Sequence, residues 1–233
     1  PVAKALGKEE RDDLRKVRDL RIKAGIMRSL IDHEKEEGHA DNGVEQSRIP
    51  EVTKKTQRVI SMFVSGSSIE NEDYLHQAID RVHKEGKKFR LTPRHESDLD
   101  PLALRYILQR AGLEEFCNKI VWIAGVNMLK RPLIRPWIRG EHVIYIATPA
   151  DSDTLEELVD YFPSEEYKTI GQTFSSINSI AKSKVREASD RGETVAIYPE
   201  AGRSYDGLMR KAPGKVALYF PRDESTLVLP CRL

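Results

Sequence analysis

The sequence is short of the features that would place it in several large classes. It has two cysteines, Cys117 and Cys231, far apart and without metal-ligand spacing. That excludes a disulfide-stapled scaffold or a zinc module and predicts reduced thiols in a cytosolic-type compartment. No apolar run approaches the roughly 18 residues a membrane-spanning helix needs. The opening segment PVAKALGKEERDD has no apolar signal core. The net charge is only +1, which gives no reason to expect nucleic acid as a partner. Neither GxGxxG nor GxxxxGKS occurs, so no nucleotide loop is expected, and without GxSxG no serine-hydrolase elbow. Internal repeats and low-complexity segments are also missing.

What is present is a chain of 233 residues, 32% charged and 39% hydrophobic, long enough for a sizeable core. Residues 8–32 carry Leu14, Val17, Leu20, Ala24, Met27 and Ile31 three or four apart, which predicts a helix. A polar loop is expected over 34–50, and a second helix over 52–66 with its apolar end at Val59–Val64. These first 66 residues read as a small N-terminal helical region, and 67–233 as the main domain. VISMFVSG, 59–66, and the basic N-terminal helices fit either burial against the main domain or contact with a bilayer surface.

From Asn71 the pattern changes. NEDYLHQAIDRVHKEG puts Tyr74, Leu75, Ala78, Ile79 and Val82 on one helical face and stops at Gly86. Asp100-Pro101 is a helix start, aspartate as N-cap and proline at the first turn, and that helix runs to Gly112. TLEELVDYF predicts another helix. A longer one from about Thr173 buries Phe174, Ile177, Ile180 or Ala181, Val185 and Ala188, and ends at Gly192. Between them lie five short apolar runs, KKFRLTP, KIVWIAG, HVIYIAT, ETVAIYP and STLVLPC, each read as a strand. The fold class is therefore α/β: a mixed, largely parallel sheet flanked by helices, preceded by a small helical domain.

Ligands collect at the carboxyl ends of such strands. Two unusual clusters fall there, TPRHESDLDP after KFRL and YPEAGRSYDG after TVAI. If Asp100 opens a helix, His95 lies in the turn before it. A turn can fold back so that the carboxylate fixes one imidazole nitrogen and leaves the other to accept a proton. A solvated acidic turn is the competing reading. No nucleophile stands beside His95, so the proton would come from a substrate hydroxyl. In the second cluster, Gly202, Arg203 and Ser204 suit a phosphate through backbone N–H groups, a guanidinium fork and a hydroxyl, and Glu200 can pin the arginine. A tight turn with an incidental ion pair is the alternative there. Two basic stretches, Lys130, Arg131, Arg135 and Arg139, then Arg203, Arg210, Lys211 and Lys215, fit a phosphate or a solvated face.

Taken together, His95-x4-Asp100 and YPEAGRS resemble the glycerolipid acyltransferase family. Its first signature is an NHxSxxD-type motif, matched here by His95, Ser97, Asp100 and Pro101. Its second is a PEGTRS- or EGGRS-type motif, matched by Pro199, Glu200, Gly202, Arg203 and Ser204. TLVLP is similar to the family's last short strand, which ends in proline. A helical region before an α/β domain without spans is similar in layout to the soluble chloroplast-type glycerol-3-phosphate acyltransferases, over about residues 70–233.

The resemblance implies an O-acyltransferase. His95 would act as general base and Asp100 as its orienter. Glu200, Gly202, Arg203 and Ser204 would hold the acceptor, and Lys130 or Arg139 a phosphate or the acyl carrier. It implies acyl-CoA or acyl carrier protein as co-substrate, with no further cofactor and no metal. The partners are then a phosphorylated small-molecule acceptor and the acyl donor. The location is cytoplasm or an organelle stroma or matrix, open to peripheral membrane contact. Lysophosphatidate as acceptor and a non-catalytic phospholipid-binding module are the alternatives. Three departures stand out. Arg94 replaces the usual asparagine. Thr148 follows the strand HVIYI, where the family often has an arginine or a Lys-His pair. The chain ends three residues after Pro230, early for the soluble type, so part of the natural protein is expected to lie beyond it.

Overall fold

All five apolar runs become strands of one sheet. A computed structural model describes residues 7–37, 43–46, 58–62, 70, 72–93, 100–132, 135–138, 140–198 and 226–231. The strands are β1 (Glu45–Gln46), β2 (Lys88–Pro93), β3 (Ile120–Gly125), β4 (His142–Ile146), β5 (Thr194–Ala196) and β6 (Thr226–Cys231). They lie in the order β1-β4-β3-β5-β2-β6. β2 to β6 are mutually parallel, and only β1 runs antiparallel, along β4. Val121, Trp122 and Ile123 of β3 and Val143, Ile144 and Tyr145 of β4 are all buried. Interior parallel strands are covered on both faces, which is why they read as unbroken apolar runs.

The helices are α1 (Lys8–Glu37), α2 (Glu72–Glu85), α3 (Asp100–Arg110), α4 (Glu114–Asn118), α5 (Arg135–Ile138), α6 (Pro149–Glu157) and α7 (Ser164–Asp190). Residues 58–62 are also helical, with Ile60 buried and Met62 exposed. The β2-to-β3 connection steps across β5, and the β4-to-β5 connection steps back across β3. Because parallel crossovers are right-handed, opposite steps put α3 and α4 on one face and α6 and α7 on the other.

The expected helix stops hold. Gly112 (φ 76°) and Gly192 (φ 77°) are left-handed, a conformation glycine enters without a Cβ clash. The next amides return to the last turn, Leu113 N to Leu108 O and Glu193 N to Ala188 O, each at 3.0 Å. Gly86 closes α2 in the same way.

Four expectations change. Tyr74, assigned to the inner face of α2, is 68% exposed, while Leu75 and Ile79 are buried. α7 begins at Ser164 rather than near Thr173. α6 begins at Pro149, earlier than TLEELVDYF, because Thr148 caps it. The polar loop contains β1, whose Glu45 and Gln46 are buried. Side chains pay for that burial: Gln46 Nε2 donates to Ile138 O at 3.0 Å, and its oxygen accepts from Tyr145 Oη at 2.9 Å.

Val17, Leu20, Ala24, Met27, Leu30 and Ile31 of α1 belong to the same buried cluster as the sheet and α7. Ion pairs pin the helix at several points. Arg21 donates through Nε (2.6 Å) and Nη2 (2.8 Å) to Glu166, and Lys184 reaches Glu34 at 2.7 Å. Among the described residues no helix is long and apolar enough to cross a membrane.

Candidate active site

β2 and β5 are hydrogen-bonded neighbours, with Leu91 opposite Ala196 and Ile197 N donating to Leu91 O at 3.0 Å. The segment after β2 carries His95 and the one after β5 carries Glu200–Ser204, so both leave the sheet at one edge. The chain leaves β2 toward β3 and β5 toward β6, in opposite directions along the sheet. Such a switch point is where open α/β sheets form a ligand crevice. His95, Glu200, Gly202, Arg203, Ser204 and Arg139 themselves lie outside the described residues. Asp100 lies within them, as the buried first residue of α3.

Buried contacts hold the strands and helix that lead to this edge, two of them from the opposite end of the sheet. Tyr198, the last residue before the second motif, stacks on Trp122 of β3 with ring centroids 5.6 Å apart and planes at 17°. Arg90 of β2 is buried and donates to Ser189 Oγ of α7 at 2.5 Å and to Phe89 O at 3.2 Å. α3 is held by Arg105, whose guanidinium meets Glu141 in the turn before β4, both side chains buried. Burial works against the Arg105 charge, but the facing carboxylate outweighs it and raises the pKa.

At the ends of β3 and β4 stands a set of groups that spacing did not reveal. Thr148 caps α6: its amide and hydroxyl donate to Asp151 Oδ2 at 2.9 and 2.7 Å, and the Asp151 amide returns to its hydroxyl. Lys23 of α1 reaches the other oxygen of buried Asp151 at 2.6 Å and Asp19 at 2.9 Å. Asp19 also pairs with Lys130, the residue expected to meet a phosphate or the acyl carrier. Burial pushes the Lys130 ammonium pKa down, with Asp151 opposing. A cation thus stands after β4 after all, supplied from α1. The packing is close: a Cβ on Gly125 would meet Thr148 Cγ2 at 2.6 Å and Asn127 Oδ1 at 2.7 Å. The signal in the sequence was T-P-A-D, a capping box with proline at its first position. No signal links Lys23 to a partner 128 residues away.

One group among the described residues brings metal-type ligands together, Glu45, His142 and Glu193 at the amino ends of β4 and β5. His142 Nε2 is 2.6 Å from Glu45 Oε1. Arg191 Nη2 lies 2.7 Å from that same oxygen and 2.7 Å from Glu193 Oε2. The resident guanidinium already neutralises the carboxylates, so the group is a clasp between α7, β1 and β4, at the edge opposite the candidate site.

A comparison with curated proteins finds no match. The family model described as Acyltransferase matches residues 66–232, a span that contains both motifs and the β2–β6 sheet. The chain belongs to the Acyltransferase family.

Proposed function

We propose that this acyltransferase moves a fatty acyl group from a thioester, acyl-CoA or acyl carrier protein, to a hydroxyl of glycerol 3-phosphate. In this reading the hydroxyl oxygen attacks the thioester carbonyl while the His95 imidazole takes its proton. The tetrahedral intermediate collapses, the C–S bond breaks, and the departing sulfur receives the proton from His95. An ester and a free thiol leave, and no acyl-enzyme forms. General-base assistance of this kind contributes ~10² to 10⁴ in rate. Asp100 orients the imidazole. Glu200, Gly202, Arg203 and Ser204 hold the acceptor, and Lys130 and Arg139 add positive charge near phosphate or carrier.

The supporting observation is the adjacency of β2 and β5, whose carboxyl ends, each followed in the chain by one motif, lie side by side at a switch point. The division at residue 66 and a cytoplasmic, stromal or matrix location with peripheral membrane contact belong to the same proposal. Thiol release with a scan of acyl donors against glycerol 3-phosphate tests it. Activity is expected in the native chain and absent in His95→Ala; full turnover in that variant would sink the mechanism.

Lysophosphatidate is the second acceptor to compare. With Thr148 spent on capping α6 and Lys23 on Asp151, less charge is left at this edge for an acceptor held by its phosphate alone, which favours one that also binds through an acyl chain. Faster turnover of lysophosphatidate in a direct comparison would shift the substrate and leave the chemistry standing.

A further inference from the structure

The outward face of α1 is basic in a way its overall composition hides. At about 100° per residue, Arg11, Leu14, Arg15, Arg18, Ile22 and Gly25 fall in one sector roughly 100° wide, flanked by Arg21 and Arg28. All of these residues are exposed, Leu14 by 44% and Ile22 by 42%. Arg21 is committed to Glu166, and Arg15 lies 3.4 Å from Asp12. Arg11, Arg18 and Arg28 form no ion pair among the described residues. Of the acidic residues of α1 near this face, Asp19 is engaged with Lys23 and Lys130, Asp13 with Lys16 and the Tyr161 hydroxyl, and Asp12 with Arg15, while Glu9 and Glu10 fall outside the sector and Asp32 borders it one turn beyond Arg28.

The position of this face matters. Lys23 and Asp19 attach this half of α1 to Asp151 and Lys130, just after β4 and β3. The other half runs to Lys184 and Val44, at the opposite edge. The basic half therefore adjoins the edge at which the two motif segments leave the sheet.

We propose that this face of α1 is a docking surface for an anionic lipid bilayer, with the helix lying parallel to the membrane. Arginine stems run along apolar surface while their heads stay wet, and Leu14 and Ile22 between them fit the boundary of headgroups and acyl chains. Arg11, Arg18 and Arg28 are spread along about 25 Å of helix, which suits an extended anionic plane better than the compact patch of a small acidic protein. The purpose of docking, to bring a membrane-borne acceptor or product to the site, rests on the proposed function. Its existence rests on α1 alone.

Flotation of the full chain with phosphatidylcholine vesicles, with and without phosphatidylserine, tests it. Binding is expected only with the anionic lipid and should weaken as salt rises. Each arginine near such a surface is worth about a fivefold change, so Arg11→Gln/Arg18→Gln/Arg28→Gln should bind ~100-fold more weakly. That variant should keep its melting temperature and its turnover of water-soluble substrates. A triple variant that floats like the native chain overturns the proposal. So does a native chain that does not float, or one that binds an acidic carrier protein through these arginines while ignoring vesicles. An active enzyme that fails to float overturns docking alone. A floating protein without transfer activity supports docking and overturns the acyl-transfer reading.

Discussion

The Arg105 guanidinium and the Glu141 carboxylate meet fork to fork, Nε to Oε1 at 2.7 Å and Nη2 to Oε2 at 2.5 Å, with 2% and 4% of the side chains exposed. The pair ties α3, the helix that Asp100 opens, to the turn before β4. Glu141→Ala leaves a buried guanidinium without its counter-charge, and such a loss costs about 3–5 kcal/mol. Replacing both groups by Met and Leu removes the uncompensated charge and is expected to recover most of that. Denaturant unfolding of the native chain and the two variants checks it; a Glu141→Ala curve that overlays the native one would overturn this account.

Asp100 is the first residue of α3 and, in the proposed mechanism, also orients His95. Asparagine caps a helix about as well as aspartate but carries no charge. Asp100→Asn is therefore expected to leave the melting temperature nearly unchanged and lower kcat ~10² to 10⁴, the range of general-base assistance, with KM little altered. Unchanged kcat would reduce Asp100 to a residue of the first turn of α3.

Lys23 and Thr148 converge on one carboxylate, Asp151. Lys23→Met leaves that buried charge with only the cap donors and is expected to cost about 1–3 kcal/mol. Thr148→Ala removes one capping oxygen and is expected to cost about 1 kcal/mol. Since both act on the same group, the double variant should be non-additive. Strict additivity in thermal melts would show that the three residues do not work as a unit.

Glu45 sets an acid limit. Burial acts to raise its pKa, but the His142 hydrogen bond and charge, with Arg191, overcome this and hold it below the usual carboxylate value. A lowered pKa in the folded state means stability is complete above the unfolded value, about 4.3, and is lost as pH falls through the folded value. The melting temperature is expected to drop below about pH 4, and Glu45→Gln to flatten that limb while lowering stability near neutral pH. His142, Arg191 and Lys184 face this carboxylate. An acid limb of unchanged steepness in the variant would place the titration elsewhere.

The strands were legible because interior parallel strands are apolar on both faces, and the helix stops because Gly86, Gly112 and Gly192 meet a backbone demand that local sequence alone imposes. β1 was not legible: Glu45 and Gln46 are polar, and their burial depends on His142, Arg191 and Tyr145, groups about a hundred residues or more away. The start of α6 was present as Thr148-Pro-Ala-Asp151, but helical periodicity draws attention to the later TLEELVDYF. At the site, motif order and strand ends could be read from the sequence. The cation after β4 could not, because Lys23 arrives through tertiary packing of α1 and no local pattern encodes that contact.

That packing also sets an order of events during synthesis. The partners of α1, Asp151 and Glu166, lie 128 and 145 residues downstream of the lysine and arginine that bind them. At typical translation rates that is a wait on the order of ten seconds, whereas a helix forms within microseconds. Nascent α1 therefore presents Val17, Leu20, Met27 and Ile31 uncovered long before α7 exists. A helix made long before its partners is placed only after them, and a chaperone meeting the growing chain would meet this stripe.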